Sequence, residues 1–302
     1  MAQFKFIFQY PLIRKVLTGI AVTAAALIFG LFLILKFYKP PLSENYGKVD
    51  AMLFVGPGND QPLIVAFGGS QGGNAWAENY WADVRSKLLE KGYAVLAVGY
   101  FKTGNTPEIL DRISLNAIRD TIMTITNHPK INKNKVALLG SSRGAELVLN
   151  LASRYKDFDA VIALVPSHVN FPSLTTFVNT SAWTFDGEEL NYVGIPYTAI
   201  GPAMRGESVN AIEIALENLD DSSKAIIPVQ NISGPILLLS AKNDGLWPSK
   251  YMSDKIVSRL VENNFKYYYE HFSFDGGHHD TKKHFDKVFE FLDNHFKPLE
   301  SK

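Results

Sequence analysis

A mostly parallel α/β sheet with helices on both faces is the fold class this sequence predicts, and three observations predict it. Short apolar runs alternate with segments of helical period from about residue 50 onward. The runs, such as "PLIVAFGG" (62–69) and "DAVIALVP" (159–166), lack polar alternation, as strands buried on both faces do. Finally, Gly140-x-Ser142-x-Gly144 joins one such run, "KVALLG", to a helical "AELVLNLAS", giving strand, sharp turn and helix in succession.

Taken in order, residues 1–15 form a basic segment with Lys5, Arg14 and Lys15 and no acid. Residues 16–35, "VLTGIAVTAAALIFGLFLIL", carry no charge. At about 1.5 Å per helical residue this run matches a hydrocarbon core of about 30 Å, so it reads as one transmembrane helix with the lipid bilayer as its partner. A cleaved signal peptide would end on small residues, whereas Ala24, Ala25 and Ala26 lie in the middle of the run. The basic residues ahead of the helix slightly favour a cytoplasmic N-terminus and an extracytoplasmic remainder. Residues 36–46 read as a linker, and 47–298 as the main domain.

Within that domain "DAMLFVG" (50–56) reads as a strand that turns at Pro57-Gly58 into "PLIVAFGG". A helix over 79–92 ends at Gly92, a C-cap residue. The strand "YAVLAVGYF" (93–101) follows, then a helix from Ser114 with Leu115, Ile118, Ile122 and Ile125 at helical spacing, stopped near His128-Pro129. Between about residues 169 and 232 the alternation lapses into a proline- and aromatic-rich stretch with one short helical pattern, "SVNAIEIALENL" (208–219). It reads as a cap inserted in the sheet. The strand "PILLLSAKND" (235–244), a helix over 249–262, the strand "KYYYEHFSF" (266–274) and a final amphipathic helix over 280–296 resume the pattern.

Composition narrows the function. Thirty basic and thirty acidic residues cancel, and no run of like charge offers a footprint for nucleic acid. With no cysteine, disulfide frameworks, thiolate metal sites and a cysteine nucleophile are excluded. Nothing in the chain implies a metal or organic cofactor.

An elbow serine in an open α/β sheet calls for an acid after a later strand and a histidine after the last one. Asp244, closing "ILLLSAKND", and His278, in "FDGGHH", meet that order. The imidazole would take the proton of Ser142 during attack on a carbonyl, and the carboxylate would orient the ring and stabilise its cation. His279 is one residue of register away and stays a rival base, while Asp275 reads as a turn former. His128, His271, His284 and His295 fall on expected helix or strand surfaces. For an oxyanion hole, the backbone amide of Arg143 is one donor and that of Gly69 or Ser70, in "AFGGSQGGN", the other. This glycine-rich loop has neither the dinucleotide spacing nor a Walker lysine. Arg143 and Glu146, three residues apart, either pair with each other or offer the arginine to an anionic substrate, the first being favoured.

Together "GGSQGG", "GYAVLAVGYF", "KVALLGSSRGAEL", "AVIALVPSHV", "GPILLLSAKNDGLWPS" and "DGGH" resemble, over about residues 47–296, the catalytic domain of the acyl-CoA thioesterase and bile-acid-CoA amino-acid N-acyltransferase family. The resemblance implies an α/β-hydrolase fold with Ser142 as nucleophile, Asp244 as acid and His278 as base. The family's N-acyltransferases carry cysteine at the nucleophile position and its thioesterases serine, so Ser142 implies hydrolysis. A membrane helix and linker stand where characterised eukaryotic members carry a β-sandwich domain. Acyl-CoA is a cytosolic pool, so a domain displayed across the membrane would act on an ester or another acyl donor instead. The expectation is a membrane-anchored serine hydrolase of an acyl ester or thioester, its apolar cap suited to an acyl chain. The alternatives are acyl transfer to an amine or alcohol, and a non-catalytic binding module.

Overall fold

The computed structural model describes residues 11–176 and 178–297, without the side chains of residues 35 and 36, and divides between Pro41 and Leu42 into two units. Lys5 in the basic segment and Pro298, at the end of the expected domain, lie outside the described residues.

The first unit carries helix α1 (Pro11–Phe37), longer at both ends than the expected 16–35. Its stretch Pro11–Ile34 has a mean hydropathy of 2.4, long and apolar enough to cross a membrane by length and composition. A signal sequence would meet the same description.

In the second unit, a seven-stranded sheet has the order β1-β3-β2-β5-β6-β9-β10. These are β1 (Asp50–Phe54), β2 (Gln61–Phe67), β3 (Ala94–Gly99), β5 (Ile131–Ser141), β6 (Ala160–Leu164), β9 (Ile236–Ala241) and β10 (Tyr269–Phe274). Only β1 runs antiparallel to its neighbour. Strands β2, β3, β6 and β9 are buried along their whole length, which is why their sequences lack polar alternation.

The pleat sends alternate residues to two cores. Leu63, Val65 and Leu138 pack with α3 (Leu115–Ile125), α4 (Arg143–Arg154) and α7 (Ser249–Glu262). Ile64, Val95 and Leu139 pack with α2 (Ala82–Glu90) and α8 (Phe285–His295). The Ser114 hydroxyl accepts from the amide of Ala117 at 3.2 Å and so caps α3. Register sets Phe67 beside Gly140 and Gly140 beside Ala163, so the carboxyl ends of the central strands lie level. This is the edge where open α/β sheets meet their ligands.

The intervening segment between β6 and β9 is richer than its sequence pattern. Besides α6 (Ser208–Leu216) it holds α5 (Tyr197–Met204), whose helical signal is masked by Gly201 and Pro202. A second sheet pairs β4 (Ile113–Ser114) with β7 (Trp183–Phe185), and β7 with β8 (Glu188–Glu189). The final helix also differs: His278–His284 form a tight 3₁₀ turn before α8, with Asp280 accepting from the amide of Gly277 at 2.8 Å. Part of the expected linker is folded onto this unit, since Tyr46 shares a 2.8 Å hydrogen bond with the Thr184 hydroxyl.

Candidate active site

Ser142 sits between the end of β5 and the start of α4 with φ 57° and ψ −119°, a conformation costly for any residue with a side chain. Its surroundings hold it there. The Ser142 amide donates to the Leu164 carbonyl at 2.9 Å, and its carbonyl accepts from the amides of Ala145 and Glu146. The flanking glycines are steric requirements: a Cβ on Gly140 would run into the Gly144 carbonyl, and one on Gly144 into the Gly68 carbonyl. The elbow thus closes on itself and on the loop after β2.

Asp244 lies in the turn after β9, where its Oδ1 accepts from the amides of Leu246 at 3.0 Å and Trp247 at 3.3 Å. His278 Nδ1 donates to the same carboxylate at 2.9 and 3.0 Å. The two side chains are only 2% and 7% exposed. Burial pushes the Asp244 carboxyl up, but the bond and charge of His278 with the Leu246 amide outweigh it, leaving the group below its ordinary value. With Nδ1 engaged, Nε2 is the His278 nitrogen left for a substrate or nucleophile. His279 is exposed and meets the His278 ring edge-on at 5.4 Å. Asp275 pairs with Lys242 at the surface, as a turn residue would.

Ser142, His278 and His279 line one cavity of about 420 Å³ with Gly68, Gly69 and Ser70. A Cβ on Gly69 would come within 3.1 Å of both the Ser141 carbonyl and Ser142 Cβ, so glycine brings this loop against the elbow. The Tyr100 hydroxyl donates to the Gly68 carbonyl at 2.9 Å and ties the loop down. Arg143 is the first residue of α4, where amides lack an intrahelical acceptor and the helix dipole is positive. Every expected site residue therefore lies at this edge of the sheet.

The cavity's apolar wall corrects one expectation. It comes from Ala75, Trp76, Tyr80 and Trp81, in the segment after β2, and from Leu246 after β9, and among the described residues none from 169–232 lines it. The inserted segment is instead bonded over α4. Arg143 and Glu146 do pair, at 2.7 Å, but not on the surface, being 6% and 0% exposed. His271 also leaves its expected surface place: its side chain is 12% exposed, with Nε2 2.7 Å from the Ser240 hydroxyl and Nδ1 3.2 Å from Asp254. His168, which no sequence pattern singles out, is buried, and desolvation with Lys255 nearby pushes its imidazole down to about 4. Among the described residues no group of three His, Asp or Glu side chains is arranged to hold a metal ion.

The family described as BAAT / Acyl-CoA thioester hydrolase C terminal matches residues 113–282. The chain is 28% identical over 226 residues to acyl-coenzyme A thioesterase 5 of Mus musculus, a region covering 74% of this chain and 49% of that protein. It is also 28% identical over 219 residues to acyl-coenzyme A amino acid N-acyltransferase 1 of Mus musculus, covering 71% and 47%. It thus spans about half the length of these relatives. Among solved structures, the acylaminoacyl peptidase of Pyrococcus horikoshii superposes with a TM-score of 0.56 at 15% identity, over 84% of this chain and 40% of that one. That likeness establishes the α/β-hydrolase fold.

Proposed function

Because the chain belongs to the BAAT / acyl-CoA thioester hydrolase C-terminal family, we propose that it is a membrane-anchored serine hydrolase cleaving an acyl thioester or carboxylic ester through an acyl-enzyme on Ser142. The observation that carries this reading is a strained elbow serine sharing its cavity with a histidine whose other nitrogen bonds a buried carboxylate.

In this scheme the Ser142 hydroxyl attacks the acyl carbonyl carbon while His278 Nε2 takes its proton. Asp244 holds the Nδ1 proton and stabilises the imidazolium. Negative charge gathers on the former carbonyl oxygen, which in this scheme accepts hydrogen bonds donated by the amides of Arg143 and of Gly69 or Ser70. Collapse expels the thiol or alcohol, protonated by His278. Water, deprotonated by the same imidazole, then attacks the acyl-enzyme and releases the carboxylic acid with Ser142 restored. The aromatic wall of the cavity suits an apolar acyl group.

The 302-residue chain in detergent, treated with a fluorophosphonate probe, tests the nucleophile. Labelling is expected in the wild type and absent in Ser142→Ala; equal labelling of both would overturn the assignment. His278→Ala is expected to lose ester hydrolysis by about a thousandfold or more, with His279→Ala much milder. Similarity to an amino acid N-acyltransferase favours a second reading, transfer to an amine. It would show as amide product that grows with added amine at the expense of free acid.

A further inference from the structure

Glu146 is wholly buried one turn beyond Ser142, and its carboxylate is fully engaged. Oε2 accepts from Arg143 Nη1 at 2.7 Å. Oε1 accepts from the indole of Trp183 at 2.6 Å and from the amide of Phe171 at 3.1 Å. Arg143 completes the clamp by donating Nη2 to the carbonyls of Phe171 and Pro172 at 3.2 and 2.9 Å. A buried ion pair is weak evidence of added stability, because desolvation offsets most of its attraction. What this pair does have is three connections, each leading to a different part of the candidate site.

The first is direct: Arg143 is both the partner of Glu146 and the residue whose amide is proposed as an oxyanion donor. The second runs through Trp183, whose ring packs 5.8 Å from that of Tyr100. The Tyr100 hydroxyl in turn holds the Gly68 carbonyl of the glycine-rich loop. The third runs through Phe171, which stacks on Trp247 at 5.8 Å. Trp247 meets the His278 ring edge-on at 5.9 Å, while its own amide donates to Asp244. These contacts are buried and are hydrogen-bonded at their origin, so a displacement at Glu146 is passed on rather than absorbed.

We infer that Glu146 is a positioning residue for acyl transfer, one carboxylate that sets the elbow, the oxyanion loop and the wall behind His278 in common register. The inference rests on Ser142 being the nucleophile. It asks nothing of Glu146 as an acid or base, since the substrate cavity does not include it.

Glu146→Gln keeps an acceptor for Trp183 and Phe171 but removes the charge facing Arg143. Steady-state hydrolysis of a p-nitrophenyl ester by the full chain should show kcat reduced about tenfold or more with KM within about twofold, because orientation rather than binding is lost. Fluorophosphonate labelling should slow in proportion. Trp183→Phe, which removes one donor only, should lower kcat in the same sense and serves if the glutamine variant does not fold. The double variant Arg143→Met with Glu146→Leu separates positioning from stability, since apolar replacement of a buried pair often keeps the fold stable. A thermal midpoint near wild type with kcat still depressed supports the inference. Recovery of kcat along with stability, or wild-type kcat and labelling in Glu146→Gln, would overturn it while leaving the hydrolase reading intact. Equal labelling of wild type and Ser142→Ala would overturn both.

Discussion

At the scale of single residues, chemistry that depends on chain neighbours is legible and chemistry that depends on burial is not. Ser142 is singled out by Gly140 and Gly144, and Asp244 and His278 by their places at strand ends, so the roles proposed for them rest on local backbone features. His168 lies in an ordinary loop sequence. Only tertiary packing, with Tyr251 of α7 set edge-on at 6.1 Å, removes its ring from water. Its folded value of about 4 lies below the ordinary 6.5, so the unfolded chain binds the proton first as pH falls. The stability contributed by the neutral ring is then whole above about pH 6.5 and is lost progressively toward pH 4, by on the order of 3 kcal/mol. Urea unfolding of wild type and His168→Gln across pH 8 to 4 should show the wild type losing its margin in that window; parallel curves would exclude the effect. Glu146 belongs to the same class: the i, i+3 spacing to Arg143 is visible in sequence, but the indole and backbone amide that complete its shell come from residues 183 and 171.

Whole elements are legible in the sequence where one period dominates. The strands of the central sheet and helices α3, α4 and α7 follow from unbroken apolar runs or clean helical spacing between recognisable stops. The exceptions share a cause, a local signal overridden by neighbours. Helix α5 tolerates Pro202 in its interior. Two-residue strands such as β4 and β8 exist only because β7 is brought beside them, and no periodicity can be read from two residues. The elbow itself is an element-scale device, tightly packed where strand meets helix. Gly144→Ala would drive a methyl group into the Gly68 carbonyl, backbone against backbone, with no flexible side chain to yield. A loss of about 3 kcal/mol or more is expected, with fluorophosphonate labelling abolished by the displaced elbow. Chemical denaturation measures the first, and an unchanged midpoint would mean the turn is looser than its contacts imply.

For the molecule as a whole, the proposed membrane anchor bears on which acyl donors the proposed hydrolase would meet. Anchoring predicts that the full chain stays with membranes through alkaline carbonate extraction. Arginines at Ala26 and Leu27 should release it, each costing about 2.5 to 3.5 kcal/mol at the centre of a span. Release of the wild type itself would refute an uncleaved anchor. A topology reporter after the last helix would then say whether cytosolic acyl-CoA is within reach. Sequence alone determined the strands and principal helices that form the central sheet's two layers, the apolar N-terminal helix and the three residues proposed as a triad, because these depend on hydrophobic period and on turn chemistry between chain neighbours. Tertiary structure alone decided that Trp76, Tyr80 and Trp81 line the cavity, that the Arg143 and Glu146 pair is buried, and that His278 rather than the exposed His279 bonds Asp244. Those facts depend on which distant segments exclude water from which side chain, and that is a property of the packed chain.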